Sequence, residues 1–132
     1  MHKSKILILA IAIVLVINGV LISSISCATS TDDSGNIILI AENGKFNKST
    51  IGVDIGSLVS IAFENKDNVS HNFAVYRSKE ATEEIYVGDV VEAGKTTTYK
   101  FTAPDEPGVY FFRCDLHPET MTGTFNVYGT GS

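Results

Sequence analysis

Residues 111–121 read FFRCDLHPETM and bring Cys114, His117 and Met121 within eight positions. A thiolate, an imidazole and a thioether are donors to soft or borderline metal ions. Three donors from one loop rarely complete a site, so a fourth has to come from elsewhere. The sequence has three histidines, His2, His71 and His117; His2 stands in an apolar leader, which leaves His71, in the stretch NVSHNF. Two imidazoles and a thiolate, with a weaker thioether, form the donor set of a blue-copper electron-transfer site. Thiolate and thioether favour Cu(I), imidazoles accept Cu(II), and a rigid scaffold that holds one geometry for both keeps reorganisation small.

Taken singly, each residue has a plainer reading. Cys114 would be an inert buried thiol, His71 a hydrogen-bonded histidine at a strand end, and Met121 a core filler. Their joint occurrence favours copper. The same three strong donors would hold Zn(II), although structural zinc sites usually have four. Cys114 with His71 and Asn72 resembles a thiol hydrolase, a reading that leaves His117 and Met121 without a role. The third alternative is an adhesive or structural sandwich without metal.

The elements that position these residues are short and β-prone. Strand candidates run over 37–42, 50–53, 58–64, 71–76, 96–102, 108–114 and 123–128, separated by Asn-Gly, Pro and polar turn signals. Residues 78–92, rich in Glu with Ile85, Val87, Val90 and Val91, fit either a short helical turn or one or two brief strands. About eight closely spaced strands indicate an all-β sandwich or barrel. Period-two alternation puts Tyr110, Phe112 and Cys114 on one face and Val109, Phe111 and Arg113 on the other. If Phe112 enters the core, Cys114 points inward where its strand ends, and the loop after it must fold back to begin the last strand. About 100 residues leave no room for a second domain or a deep cleft, which locates function in the loops at one end.

Residues 1–28 read as an export signal or membrane anchor: Lys3 and Lys5 precede an apolar run over 6–22, followed by Ser23, Ser24, Ser26 and Ala28. Cleavage near Cys27, lipid modification of Cys27 and retention as an anchor all fit, and each leaves the lysines inside and the domain outside. Residues 29–35 form a polar linker and 36–132 the domain. The whole sequence carries 10 basic against 15 acidic residues; without Lys3 and Lys5 the balance is 8 against 15, a net of −7. That charge argues against nucleic acid and anionic lipid surfaces as partners. The sequence has two cysteines, and Cys27 belongs to the leader. Cys114 is therefore a lone thiol in an oxidising compartment, where a bound metal would protect it.

From about residue 36 to 128 the sequence resembles the cupredoxins, small blue-copper proteins such as plastocyanin, amicyanin and pseudoazurin. The resemblance is carried by His71-Asn72, by Gly-x-Tyr-x-Phe-x-Cys over 108–114, by Cys-x-x-His-Pro, and by Met121 shortly before Gly123. It implies a Greek-key β-sandwich holding one type 1 copper. His71, Cys114 and His117 would be the equatorial ligands and Met121 the axial one. Asn72 would hydrogen-bond across to the ligand loop. Two departures stand out. Three residues separate His117 from Met121, against four in plastocyanin-like and two in amicyanin-like loops. Asp115 follows the cysteine, where relatives often carry a small residue; its carboxylate beside the thiolate is expected to favour Cu(II) and lower the reduction potential.

The resemblance further implies an extracytoplasmic monomer, periplasmic or at the cell surface and tethered if the leader stays. It would pass electrons between a donor and an acceptor redox protein without turning over a substrate. Copper storage or delivery is the alternative, though the sequence lacks the His- or Met-rich tracts of a flexible copper carrier. The exposed edge of His117, with Pro118 beside it, is the expected route for electrons. Glu80, Glu83, Glu84, Asp89 and Glu92 read as a solvated face before they read as a docking patch.

Overall fold

A computed structural model describes residues 29–129; the expected signal or anchor segment, residues 1–28, lies outside them. Alternation of apolar and polar residues builds nine strands: β1 (Ile37–Glu42), β2 (Lys45–Phe46), β3 (Thr50–Asp54), β4 (Leu58–Asn65), β5 (Ala74–Tyr76), β6 (Glu84–Val87), β7 (Thr96–Thr102), β8 (Gly108–Arg113) and β9 (Thr122–Tyr128). They form two sheets, one ordered β2-β1-β4-β7 and the other β3-β9-β8-β5-β6. Two pairings are parallel, β1 with β4 and β3 with β9. The chain passes repeatedly from one sheet to the other, as a Greek-key sandwich requires. Among the described residues there is no helix.

The core lies between the sheets. In β4 the inward positions are Val59, Ile61, Phe63 and Asn65, and in β1 they are Ile37, Leu39 and Ala41. In β8, Tyr110 and Phe112 are buried while Val109 is 59% exposed, the facing that the alternation predicts. Phe112 sits at the centre of an aromatic cluster, its ring centroid 5.5 Å from Phe73 and 5.6 Å from Phe46. Gly123 in β9 makes room for it. A Cβ there would collide with the Phe112 ring and stand 2.7 Å from the Ser49 carbonyl oxygen. Full burial of a Phe side chain is worth about 1.5–3 kcal/mol, so this cluster is a firm floor beneath the end of β8.

Three details differ from the pattern legible in the sequence. β2 is only two residues long and pairs with β1 across the Asn43-Gly44 turn. The ambiguous stretch 78–92 resolves into the edge strand β6 and a single bridge between Val91 and His71. His71 itself precedes β5, its backbone N–H and C=O both bonded to Val91 at 3.0 and 2.7 Å. Residues 30–36 fold into a turn around Asp32, whose carboxylate accepts the N–H groups of Ser34 and Asn36, both at 2.9 Å.

Candidate metal centre

The inward face of β8 continues one residue beyond its end, so Cys114 is fully buried above Phe112. The ladder also continues: the Cys114 N–H donates to the Met121 carbonyl at 2.9 Å. Between them the chain makes a compact turn in which the His117 carbonyl accepts from Thr120 N–H at 3.3 Å and Met121 N–H at 3.1 Å. This turn brings His117 back over Cys114 and seats Met121, fully buried, beside it.

His71 arrives from the connection between β4 and β5. Its Nδ1 lies 3.7 Å from Cys114 Sγ and 3.1 Å from His117 Nδ1; His117 Nδ1 is itself 3.7 Å from the sulfur. The three donor atoms fall within 4.8 Å of one another. Two imidazole nitrogens and a sulfur at this spacing suit a single ion with bonds of about 2.0–2.3 Å. His71 and Cys114 are buried and His117 is partly exposed. Of the residues expected from the sequence, His71, Cys114 and His117 converge through their donor atoms, and Met121 adjoins them through its backbone bonds and burial.

The second contact of each donor segment explains its rigidity. Asn72 Oδ1 accepts the Asp115 N–H at 2.8 Å and the Asn72 backbone N–H points at Cys114 Sγ at 3.4 Å, so one residue ties the two segments together and stabilises negative charge on sulfur. This is the cross-link expected of Asn72. The Asp115 carboxylate, however, turns away into a network of its own. It accepts from Tyr76 Oη and Arg113 Nε, both at 2.8 Å, and from Asn72 Nδ2 at 3.2 Å. Burial pushes its carboxyl up, but the bonds from Arg113, Tyr76 and Asn72 together hold it below the usual carboxylate range. Its charge is thus offset by Arg113, whose guanidinium also lies 4.7 Å above the Tyr76 ring.

Sequence reasoning missed Asp67, whose Oδ2 lies 2.7 Å from His71 Nε2. In the sequence it is one member of the polar break Asn65-Lys66-Asp67-Asn68, and only the path of the loop reveals its place. At the surface, His117 is flanked by exposed Leu116 and Pro118, and Val69, in the loop that leads to His71, is also exposed. Glu80, Glu83, Glu84, Asp89 and Glu92 are all exposed.

The sequence matches the family described as Cupredoxin-like domain over residues 8–127. No curated protein matches it. Among solved structures the chain is similar to auracyanin A, a "blue" copper protein of the green thermophilic photosynthetic bacterium Chloroflexus aurantiacus. The identity there is 23%, over 70% of this chain and 98% of that one, with a TM-score of 0.64. Reduced auracyanin of Roseiflexus castenholzii is 22% identical over 69% of this chain and 94% of its own, with a TM-score of 0.60. A purple cupredoxin from Nitrosopumilus maritimus is 19% identical over 69% and 98%, with a TM-score of 0.52. At these identities the structural likeness establishes the fold.

Proposed function

The chain belongs to the family of cupredoxin-like domains, and on that premise we propose that it carries single electrons between redox proteins outside the cytoplasm. Its cofactor is one copper ion of the type 1 class, which supplies the one-electron couple when bound. His71 Nδ1, Cys114 Sγ and His117 Nδ1 would hold it, with the Met121 thioether as a weaker fourth donor. The observation that carries the reading is the convergence of these two nitrogens and the sulfur within 4.8 Å on a buried, braced platform.

The residues divide the work. Phe112 and the β8–β9 ladder fix the sulfur from below, and the Asn72 N–H stabilises its thiolate form. Burial of His71 and Cys114 keeps water from the donors, which limits solvent reorganisation when charge changes. His117 alone among the three converging donors reaches the surface, so its ring edge, bordered by apolar Leu116 and Pro118, is where a partner would come into electronic contact. The exported location rests on the leader sequence. The monomer and the identity of donor and acceptor as proteins follow the pattern of the family.

Storage or delivery, the alternative, fits the site less well. Two of the three strong donors are fully buried and held by backbone bonds, a design that retains an ion. The full chain loaded with Cu(II) is expected to show an intense visible thiolate-to-copper band and a type 1 EPR signal, both lost in Cys114→Ser. It should also cycle between oxidation states without releasing copper. A wild type lacking the band overturns the copper assignment, and copper loss at each reduction overturns electron carriage in favour of delivery.

A further inference from the structure

His71 makes a contact that the donor cluster does not require. With Nδ1 facing the cluster, its proton belongs on Nε2, and there the Asp67 carboxylate accepts it at 2.7 Å. Asp67 is itself aimed from three directions. Its Oδ1 accepts the Asn43 N–H at 2.6 Å, its Oδ2 accepts the Gly44 N–H at 3.0 Å, and its own N–H donates to Asn65 Oδ1 at 3.0 Å. Asn43 and Gly44 have φ of +55° and +68°, the left-handed pair of a tight hairpin turn. Two successive N–H groups presented this way make an anion-binding concavity. Asn65, 1% exposed, is locked in turn by Nδ2 bonds to the carbonyls of Val69 and Val91 at 2.8 and 3.0 Å. Among the described residues no lysine or arginine pairs with Asp67, and its side-chain partner is the His71 ring.

Resting on the copper reading above, we propose that Asp67 is the positioning residue of the site: it fixes His71 as the Nε2–H tautomer and, through that hydrogen bond, makes its imidazole a stronger donor that favours Cu(II) over Cu(I). The β1–β2 turn is thereby part of the site, since its two amides hold the carboxylate on target. A carboxylate behind a ligating histidine raises the basicity of the ligand, and its loss typically weakens metal binding 10- to 100-fold. The stronger donor matters more to the more highly charged ion, so Asp67 lowers the reduction potential.

The test uses the full chain as wild type, Asp67→Asn and Asp67→Ala. Asp67→Asn keeps a hydrogen-bond acceptor and removes the charge. It is expected to weaken Cu(II) binding about tenfold relative to Cu(I), a rise in potential of about 59 mV for a one-electron couple. Asp67→Ala removes the acceptor too and should lower Cu(II) affinity by roughly 10- to 100-fold. In the metal-free protein, nitrogen NMR should find the His71 proton on Nε2 in the wild type and a mixture of tautomers in Asp67→Ala. Unchanged potential in both variants, with the visible band intact, overturns the proposal and leaves the copper site standing. A lowered melting temperature with an unmoved potential shows a role in turn architecture alone and overturns it as well. A wild type without the band removes the copper reading and this proposal with it.

Discussion

Asp67 and Asp115 stand on the two segments that supply the donors, one beside His71 and the other next to Cys114, and they answer to different neighbours. Asp115 is adjacent to the cysteine in sequence, yet Arg113 Nε meets it at 2.8 Å and Tyr76 Oη shares it. Asp67 is four residues from His71 and is surrounded by neutral N–H groups, with the imidazole N–H as its side-chain hydrogen-bond partner. A carboxylate whose charge is offset by a guanidinium presents little net field to the metal. One held only by dipoles keeps its full charge, directed at a ligand. Proximity along the chain was therefore a poor guide to which aspartate acts on the site; the counter-charge decides.

The comparison breaks most completely if the floor under the Cys114 segment is removed. Phe112→Ala leaves a cavity among Phe46, Phe73 and Gly123 and is expected to cost about 3–5 kcal/mol in a denaturant titration of the metal-free protein. The thiolate band should broaden or vanish as Cys114 loses its support. If stability stays within 1 kcal/mol of wild type, the core is not what places the sulfur. Asn72→Ala is the next largest. It leaves the Asp115 N–H without its acceptor, at roughly 1–3 kcal/mol, and unties the two segments from each other. A normal band and unchanged stability would show that the segments are held independently.

The strands and the Cys114 side were legible because their signals are local. Thr96–Thr102 is the strand its alternation describes, and inward Tyr110, Phe112 and Cys114 follow from period two alone. Cys-x-x-His-Pro announces His117 in the same way. β2 has no signal in the sequence, because Asn43-Gly44 marks the end of β1 and a two-residue strand carries no periodicity. The 78–92 stretch was ambiguous because β6 lies at a sheet edge, where one side is wet and charged residues displace the apolar pattern. Asp67 was illegible for a different reason. Its partners are a turn more than 20 residues earlier and a histidine reached only through the curvature of the 65–71 connection, and no spacing rule links them.

Acid should weaken both sides together. Burial raises both carboxyls, but hydrogen bonds outweigh it. Those from Gly44, His71 and Asn43 hold Asp67 below its ordinary 3.8, and those from Arg113, Tyr76 and Asn72 do the same for Asp115. The unfolded chain then takes up protons at higher pH than the folded one. Stability contributed by these groups is complete above about pH 4 and is lost as pH falls from 3.8 through the folded values. Urea titrations of the metal-free protein from pH 5 to 2 should show this decline, and Asp67→Asn or Asp115→Asn should each flatten it. A decline equally steep in both variants would assign acid sensitivity to other carboxylates.

The smallest effect separates the two aspartates most cleanly. If Arg113 neutralises Asp115, removing either partner unbalances the pair in opposite directions. Asp115→Asn leaves a cation near the thiolate and should raise the potential slightly, by less than Asp67→Asn does. Arg113→Gln leaves an uncompensated carboxylate and should lower it. The double variant should return close to wild type, because the two opposite charge changes cancel at the metal. Arg113 is about 29% exposed and Asp115 about 27%, so added salt should shrink both single shifts. Asp67, which faces the amides of a turn and not a mobile guanidinium, should show no such cancellation with any nearby cation. A rise in Asp115→Asn as large as in Asp67→Asn would mean that the field of Asp115 reaches the metal despite Arg113, and the contrast between the two segments would collapse.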